Sequence, residues 1–370
     1  MNTYVKILIL IVIGFIALGV IMVFTASGTY SLMRFNNLYF LFRQHFWKVL
    51  AALIMMVIFS KIPYDKYRDY SKWLLYIIIL VLVFTFLFAP KVKGAQRWIN
   101  LGIIQFQPSE AAKVLLIIHL SVMLERMGDK LKDFQKGLKY PLIWILIVSF
   151  LVLIQPNVST SVIIVITSFV LIYIAGGRKI HILEIVAPAT ILVVSIAMMF
   201  NHSRERILTY LHSLFNGGDI NIQVKQAKIA LGSGGLLGVG LGHSRQSDLF
   251  LPESYGDFIY SILGEELGFV SAVLLLFIYL MLFAICLVIA KKAQDSFGKL
   301  LVLGLGFNII ISAFINAAVV TGLIPTTGIT LPFISFGGTS IILFAVSIGI
   351  IINVGRQTVK TTELKLAQVG

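Results

Sequence analysis

Several carboxylates lie where a polar stretch of the chain meets a long apolar run. They are Glu253, Asp257, Glu265 and Glu266, and the apolar residues continue from Leu267. Partial burial makes a carboxylate a stronger proton acceptor, which suits it to general-base catalysis. Asp257 is therefore the predicted catalytic base, with the alternative that it only caps the helix that follows. Glu265, predicted about two turns further along the same side of that helix, is a candidate for substrate contacts.

Basic residues that could bind phosphate lie in other polar segments. Lys93 and Arg97 precede Trp98, and a guanidinium binds phosphate through two parallel hydrogen bonds. Arg beside Trp is also typical of plain anchoring at a membrane interface. Glu110 and Lys113 are three residues apart and share one face of a helix. They form either a self-neutralising pair or the floor of a polar cavity in which Lys113 meets an anion.

The segment 201–256 is the least apolar part of the chain and contains a run of glycines. Arg204 and Arg245, near its two ends, are further candidates for substrate binding. Six glycines fall within 232–242, where they allow tight turns and close approach of the backbone. The run is not a nucleotide-binding P-loop, because no Gly-Lys-Ser/Thr follows it and no strand precedes it.

The segment 321–340 separates two apolar runs with two prolines and four glycines. Such residues break helices, and broken helices at membrane depth are tolerated where the backbone lines a cavity. Ser335 in this segment is accordingly another candidate for substrate contacts.

These polar segments must be positioned by membrane-spanning helices, because the chain lacks the charged surface of a soluble protein. Of its 370 residues 58% are hydrophobic and 12% are charged, against about 25% charged in soluble domains. The composition excludes a soluble enzyme, a disordered chain and a disulfide scaffold, and the single Cys286 excludes an internal disulfide. The net charge of +14 is assigned to cytoplasmic loops, so no nucleic-acid partner is predicted.

Ten apolar runs predict an all-α, polytopic integral membrane protein with ten transmembrane helices. The predicted spans are 7–25, 46–60, 73–89, 109–124, 140–155, 158–176, 182–200, 266–290, 300–321 and 333–354. With the N-terminus inside, the inner segments hold 18 of the 30 Lys and Arg residues and the outer segments hold 11. This excess predicts cytoplasmic termini and a large extracytoplasmic loop at 201–256, between spans seven and eight. The chain is predicted to be a single membrane domain over 1–370 with a short cytoplasmic tail at 357–370.

Several long motifs in a fixed order resemble the SEDS family (shape, elongation, division and sporulation), the bacterial group of FtsW and RodA. They are KGAQRWINLG with FQPSEAAK, LGSGGLLGVGLGHSRQ, FLPESYGDFIYSILGEELGF and GLIPTTGITLPFISFGGTS, and together they cover nearly the whole chain. GHSRQ, GEELG and GITLPFIS are more similar to FtsW than to RodA. The chain departs from the family pattern at Asn157, where the family usually has an acidic residue.

The resemblance implies a glycosyltransferase that polymerises lipid II, a polyprenyl-linked disaccharide peptide, at the outer face of the bacterial cytoplasmic membrane and at the division septum. Asp257 would be the base, and Arg97, Lys113 and Arg245 would neutralise the departing diphosphate. No organic cofactor is expected, and a divalent cation, Mg²⁺ or Mn²⁺, could assist. The implied partners are a single-pass, FtsI-like class B penicillin-binding protein and other division proteins.

Two other functions remain open at this point. A lipid II flippase would use Glu110, Lys113 and Asp257 as gating or proton-linked charges. A non-catalytic division scaffold would need none of them for chemistry. A flippase requires polar residues along both halves of the membrane, whereas the polar clusters here lie in the predicted outer segments. The lack of a visible internal repeat also argues against a transporter built from two related halves.

Overall fold

The computed structural model describes residues 3–90, 96–100, 105–216 and 221–369, and these residues are mainly helical. The helices are α1 Thr3–Phe35, α2 Phe40–Lys61, α3 Asp65–Phe88, α4 Pro108–Met127, α5 Lys139–Ile154, α6 Val158–Ile174, α7 Lys179–Met199, α8 Asn201–Asn216, α9 Ile222–Ser233, α10 Ile259–Lys291, α11 Ser296–Val320 and α12 Thr339–Val369. Short 3₁₀ or π turns occupy Gly128–Lys132, Phe134–Leu138 and Gln246–Phe250. Two strands, β1 Ile99–Asn100 and β2 Gln105–Phe106, pair antiparallel.

A helix overlaps each of the ten predicted spans. Among the described residues, seven helical stretches are long and apolar enough to cross a membrane. They are Thr3–Phe35, Phe40–Lys61, Asp65–Phe88, Phe134–Ile154, Ile259–Lys291, Ser296–Val320 and Thr339–Gln357. The prediction of an all-α, multi-pass membrane protein is therefore confirmed.

Two predicted boundaries differ from the helices, and both differences lie beside the polar segments. Span eight was placed from 266, but α10 begins at Ile259, because Glu265 and Glu266 are buried inside the helix instead of ending it. Span ten was placed from 333, but α12 begins at Thr339, because the preceding residues form a buried irregular turn.

The helices α11 and α12 lie at the centre of the bundle. In each, 78% of the apolar window is buried within the protein, against 28% in α2 and in α3. The outward faces of α2 and α3 carry exposed aromatic and aliphatic side chains, among them Trp47 and Trp73. Apolar side chains at these positions suit contact with lipid acyl chains, so α2 and α3 are peripheral.

The described residues of the segment 201–256 are folded rather than forming an open loop. They include α8 and α9, and α9 packs against α10 and α11. Val224, Ala227 and Ala230 recur at helical spacing on α9 and are all buried. The segment therefore forms a helical layer over one end of the bundle.

The glycine run, residues 232–242, provides hydrogen-bond partners for the backbone at a break in α10. Gly268 has a φ of 81°, so the helical hydrogen bonds are interrupted there. Amides of the run donate to carbonyl groups before the break, and its carbonyl groups accept from amides after it. The four bonds are Val239 N to Glu265 O, Gly240 N to Glu266 O, Phe269 N to Gly235 O and Val270 N to Leu236 O. Gly238 requires glycine, because a Cβ there would collide with the backbone of Glu266 and its φ is +85°.

Candidate active site

Asp257 lies in the turn that precedes α10, where the outer segment joins the apolar helix. Its side chain is partly exposed, whereas Gly256 and Phe258 on either side are buried. Phe258 is the residue before the first helical residue, and its own side chain does not cap the helix. The roles of Asp257 as a catalytic base and as a helix cap both stay predictions.

The buried side chain of Asn316, on α11, fixes the backbone at Asp257. Its Nδ2 donates to the carbonyl oxygen of Asp257 at 2.7 Å and to that of Ile329 at 2.8 Å. One amide group thus joins the Asp257 turn to the irregular segment 321–338. Asn316 could not be identified from the sequence, because a single polar residue within an apolar helix has no distinctive spacing.

Ser335 makes a second link between the same two segments. Its Oγ donates to the carbonyl oxygen of Gly256 at 2.8 Å and accepts from the backbone N–H of Leu331 at 2.8 Å. The N–H of Phe336 donates to the carbonyl oxygen of Tyr255 at 2.9 Å. The hydroxyl of Ser335 therefore holds the backbone beside Asp257, and its predicted contact with substrate stays a prediction.

Arg206, on α8, lies close enough to Asp257 for their opposite charges to interact. Burial lowers the pKa of the Arg206 guanidinium, and the charge of Asp257 acts in the opposite direction. The Nη1 of Arg206 donates to the carbonyl oxygen of Thr326 at 3.2 Å. The Oδ2 of Asp257 lies against Gly328, 3.5 Å from the position that a Cβ would occupy. Both charged side chains thus border residues 326–328.

Arg97 is a second cation of this cluster. It donates from Nε to the carbonyl oxygen of Gln155 at 3.0 Å and from Nη2 to that of Pro156. Burial, followed by the positive charge of Arg206, lowers the pKa of Arg97 to about 10. Two partly buried guanidinium groups that repel each other favour an anion between them.

The structure selects Arg206 over the predicted Arg204 as the arginine of α8 that faces this cluster. Arg204 is exposed, whereas Arg206 is partly buried. Residues two apart on a helix point about 200° away from each other, so only one of the two can face the Asp257 turn. Helical periodicity was the signal that could have identified Arg206 from the sequence.

Glu110 and Lys113 form the self-neutralising pair that their spacing allows. Lys113 Nζ lies 2.9 Å from Glu110 Oε1, and the two side chains are 3% and 12% exposed, respectively. They stand in the first turns of α4, which begins at Pro108 as predicted. Beside them, Asn157 Nδ2 donates to Ser109 Oγ at 3.0 Å. Binding of an anion by Lys113 stays a prediction.

Thr339 connects the start of α4 to the segment that holds the Asp257 turn. Its Oγ1 accepts from the N–H of Gln107 at 2.8 Å and donates to the carbonyl oxygen of Gln105 at 3.1 Å. The segment 321–340 is therefore hydrogen-bonded both to the backbone beside Asp257 and to the backbone just before the Glu110–Lys113 pair.

Glu265 is buried and holds the end of the outer segment. Its Oε2 accepts from Ser244 Oγ at 2.5 Å and its Oε1 accepts from the N–H of Arg245 at 3.1 Å. The side chain of Arg245 is exposed. Because α10 begins only at Ile259, Asp257 and Glu265 do not belong to one helical face. Substrate contacts of Glu265 and Arg245 stay predictions.

The sequence as a whole matches one known family. The family model for FtsW, RodA and SpoVE, described as cell cycle protein, matches residues 5–360. The chain belongs to this family. The probable peptidoglycan glycosyltransferase FtsW of Geobacter sulfurreducens is 34% identical over 96% of this chain and 95% of that protein. Stage V sporulation protein E of Bacillus subtilis is 34% identical over 94% of this chain and 96% of that protein.

The fold of this FtsW/RodA/SpoVE family member is also that of a solved structure. A chain from a peptidoglycan synthase complex, studied for its coordination of polymerization and crosslinking, superposes with a TM-score of 0.77. The match covers 97% of this chain and 99% of that chain at 23% sequence identity. At that identity the likeness establishes the fold.

The predicted roles of Lys93 and of a divalent cation stay predictions. Lys93 lies outside the described residues. Within residues 3–90, 96–100, 105–216 and 221–369, no group of three or more His, Cys, Asp or Glu residues could hold a metal ion. The described side chains therefore do not by themselves supply a complete metal site.

The ion pair gives a first prediction for this family member. Glu110→Gln is expected to destabilise the folded protein by about 3–5 kcal/mol, because it leaves the Lys113 ammonium buried without a counter-charge. Glu110→Gln combined with Lys113→Met removes both charges and should recover much of this loss. Thermal unfolding of the purified variants in one detergent measures the difference. Equal destabilisation by the single and double variants would show that the pair is not electrostatically coupled.

Proposed function

We propose that this chain is a peptidoglycan glycosyltransferase that polymerises lipid II into glycan strands during cell division. The observation that carries the proposal is a partly exposed carboxylate, Asp257, on a turn held by Asn316 and Ser335, with Arg206 near it and Arg97 near Arg206. A rigidly held base next to an anion-binding group suits sugar transfer from a diphosphate. The names of its relatives support the same reaction.

In the proposed reaction Asp257 accepts the proton of the acceptor sugar's hydroxyl group. The hydroxyl oxygen forms a bond to the anomeric carbon of the donor sugar, while the bond from that carbon to the diphosphate oxygen breaks. The electron pair of the broken bond leaves with the polyprenyl diphosphate. Glycoside hydrolysis uses a second carboxyl group to protonate the leaving oxygen. A diphosphate is already a good leaving group, so one carboxylate is sufficient.

The cations Arg97 and Arg206 are proposed to neutralise the departing diphosphate. Their mutual repulsion is relieved when an anion binds, and the effect is greatest where charge develops in the transition state. Arg97 retains the role that the sequence suggested for it, and Arg206 is added. Lys113 and Arg245 remain candidates for the same role.

An assisting Mg²⁺ or Mn²⁺ would need ligands in addition to the described side chains. Mg²⁺ is commonly held by one or two carboxylates together with substrate phosphates and water, and Asp257 could supply one such carboxylate. None of the proposed steps depends on the cation.

The proposed topology has ten spans, with both termini in the cytoplasm and α8 and α9 on the outer side of the cytoplasmic membrane. The distribution of Lys and Arg and the ten helices that overlap the predicted spans support it. In a Cys286→Ala background, an impermeant thiol reagent added outside cells should label Asn36→Cys and should not label Ala293→Cys. The opposite labelling pattern would reverse the proposed orientation.

The polar network at the opposite end of the bundle favours a polymerase over a flippase. Arg68 on α3 pairs with Glu125 at 3.3 Å and with Asp295, and Asp295 also accepts from Gly298 N at 2.8 Å. These charges satisfy one another and join α3, α4 and the start of α11. A polar path through the inner half of the membrane would have to disrupt this network.

The proposed partners are a single-pass class B penicillin-binding protein and other proteins of the division septum. The similarity to a chain of a peptidoglycan synthase complex supports a crosslinking partner. The function is tested by supplying lipid II to the purified protein with its partner and separating the products by chain length. Glycan strands are the expected product. Their absence with a competent partner would favour transport or scaffolding.

A further inference from the structure

A cleft lined by both polar and apolar residues lies beside the Asp257 turn, between α8, α9 and the start of the irregular segment. The space among its lining residues, which continues into solvent, is about 350 Å³. It is lined by Arg206, Tyr210, Ser213, Asn221, Val224, Lys228, Gly322, Ile324, Pro325 and Thr326. Two of these residues are basic and none is acidic, so the cleft is electropositive. Arg206 borders both the cleft and the neighbourhood of Asp257.

Lys228 is an exposed residue of α9, and its ammonium group lies next to Gly322 at the edge of the cleft. A Cβ at Gly322 would lie 2.6 Å from Lys228 Cε and 2.8 Å from its Nζ. Gly322 has a φ of +75°, a conformation that glycine adopts without strain. The absence of a side chain at Gly322 therefore provides the space in which the end of the Lys228 side chain lies.

Hydrogen bonds from α8 to the irregular segment fix another part of the cleft. Tyr210 OH donates to the carbonyl oxygen of Leu323 at 2.6 Å, and Arg206 Nη1 donates to that of Thr326 at 3.2 Å. The guanidinium has five N–H donors, so these contacts leave Arg206 with donors for a ligand. Arg206 and Lys228 both line the cleft, and each carries cationic N–H donors.

We propose that this cleft extends the anion-binding site at Arg206, so that Lys228, together with Arg206, binds a phosphate or carboxylate group of the lipid-linked substrate. The proposal rests on the proposed function, because the substrate supplies both kinds of anion, in its diphosphate and in its peptide. The position of Arg206 places the bound anion close to the reacting sugar. This subsite, Lys228 with Arg206, would orient one substrate relative to Asp257.

Lys228→Gln tests the subsite, and Lys225→Gln is its matched control. Lys225 lies one turn earlier on α9, is exposed and does not line the cleft. Binding of fluorescent lipid II is measured in the Asp257→Asn background, so that affinity is separated from turnover. Loss of one charge-assisted contact should raise the Kd about tenfold for Lys228→Gln, against less than about twofold for Lys225→Gln. Lys228→Arg should retain most of the affinity.

The source of the anion is determined with lipid II whose peptide carboxylates are amidated. If the subsite binds a carboxylate, the protein with Lys228 and the Lys228→Gln variant should bind the amidated substrate with similar Kd values. If it binds the diphosphate, the tenfold difference persists. An unchanged Kd for Lys228→Gln, in a protein that forms glycan strands with Asp257 restored, would overturn the subsite and leave the polymerase assignment intact. A raised Kd for Lys228→Gln, in a protein that forms no strands with Asp257 restored, would support the subsite and contradict the polymerase assignment.

Discussion

Asp257→Asn is expected to reduce glycan-strand formation by about 10³-fold, within the range found when a general base is removed. The amide has nearly the same shape as the carboxylate but does not accept the proton of the attacking hydroxyl. The interactions of the neighbouring backbone with Asn316 and Ser335 do not involve the carboxylate and should persist in the variant. Folding and binding to the partner protein should therefore be retained.

Asp248→Asn is the matched control for this loss. Asp248 lies nine residues earlier in the same outer segment, is exposed and accepts a hydrogen bond from Thr29 at 2.5 Å. Its replacement should change strand formation by less than about twofold, because surface substitutions have small effects. Equal strand formation by wild type and a folded Asp257→Asn protein would remove Asp257 from the mechanism. A non-catalytic scaffold would form strands in neither protein.

Asn316→Leu is expected to lower kcat by about 10²-fold while the Kd for lipid II changes by less than about threefold. Leucine is similar in size but donates no hydrogen bond, so the carbonyl groups of Asp257 and Ile329 each lose a donor. The Asp257 turn is then released from the irregular segment, and a displacement of about 1 Å is sufficient for such a loss in rate. Asn316 is therefore a positioning residue and does not contact the reacting atoms.

Ser312→Ala separates this positioning effect from a general loss of stability. Ser312 is buried one turn earlier on α11, and its Oγ donates to the carbonyl oxygen of Asn308 at 2.7 Å, within the helix. Its replacement should leave kcat and the Kd within about twofold, because no bond to the Asp257 turn is lost. A rise in Kd equal to the fall in kcat for Asn316→Leu would indicate that Asn316 supports the binding site as a whole.

The parts of the structure that could be predicted are those with a local signal in the chain. Apolar runs gave ten segments that coincide with helices, and Pro108 with its following residues marked the start of α4. Asp257 could be selected as a candidate base because it is a carboxylate at the junction of a polar segment and an apolar run. The three-residue spacing of Glu110 and Lys113 similarly indicated the ion pair that the structure shows.

The missed features depend on contacts between distant parts of the chain. Asn316 reaches Asp257 across 59 residues of sequence, and nothing in the apolar run around it indicates that contact. From the sequence the glycine run is interpreted as a surface loop. Its hydrogen bonds to the break at Gly268 join residues about 26 to 34 positions apart, and no local pattern indicates them. The start of α10 was misplaced for the same reason: the buried carboxylate of Glu265 has hydrogen-bond partners about 20 residues earlier in the chain.

The central claim, that the protein polymerises lipid II rather than moving it across the membrane, is tested most directly in sealed vesicles. Vesicles carrying fluorescent lipid II, the protein and its class B partner are assayed at the same time for strand length and for lipid II protected from an impermeant quencher. We expect strands from the wild type and none from Asp257→Asn, with no faster exchange of lipid II between leaflets than in vesicles without protein. Rapid exchange without strands would contradict the polymerase assignment.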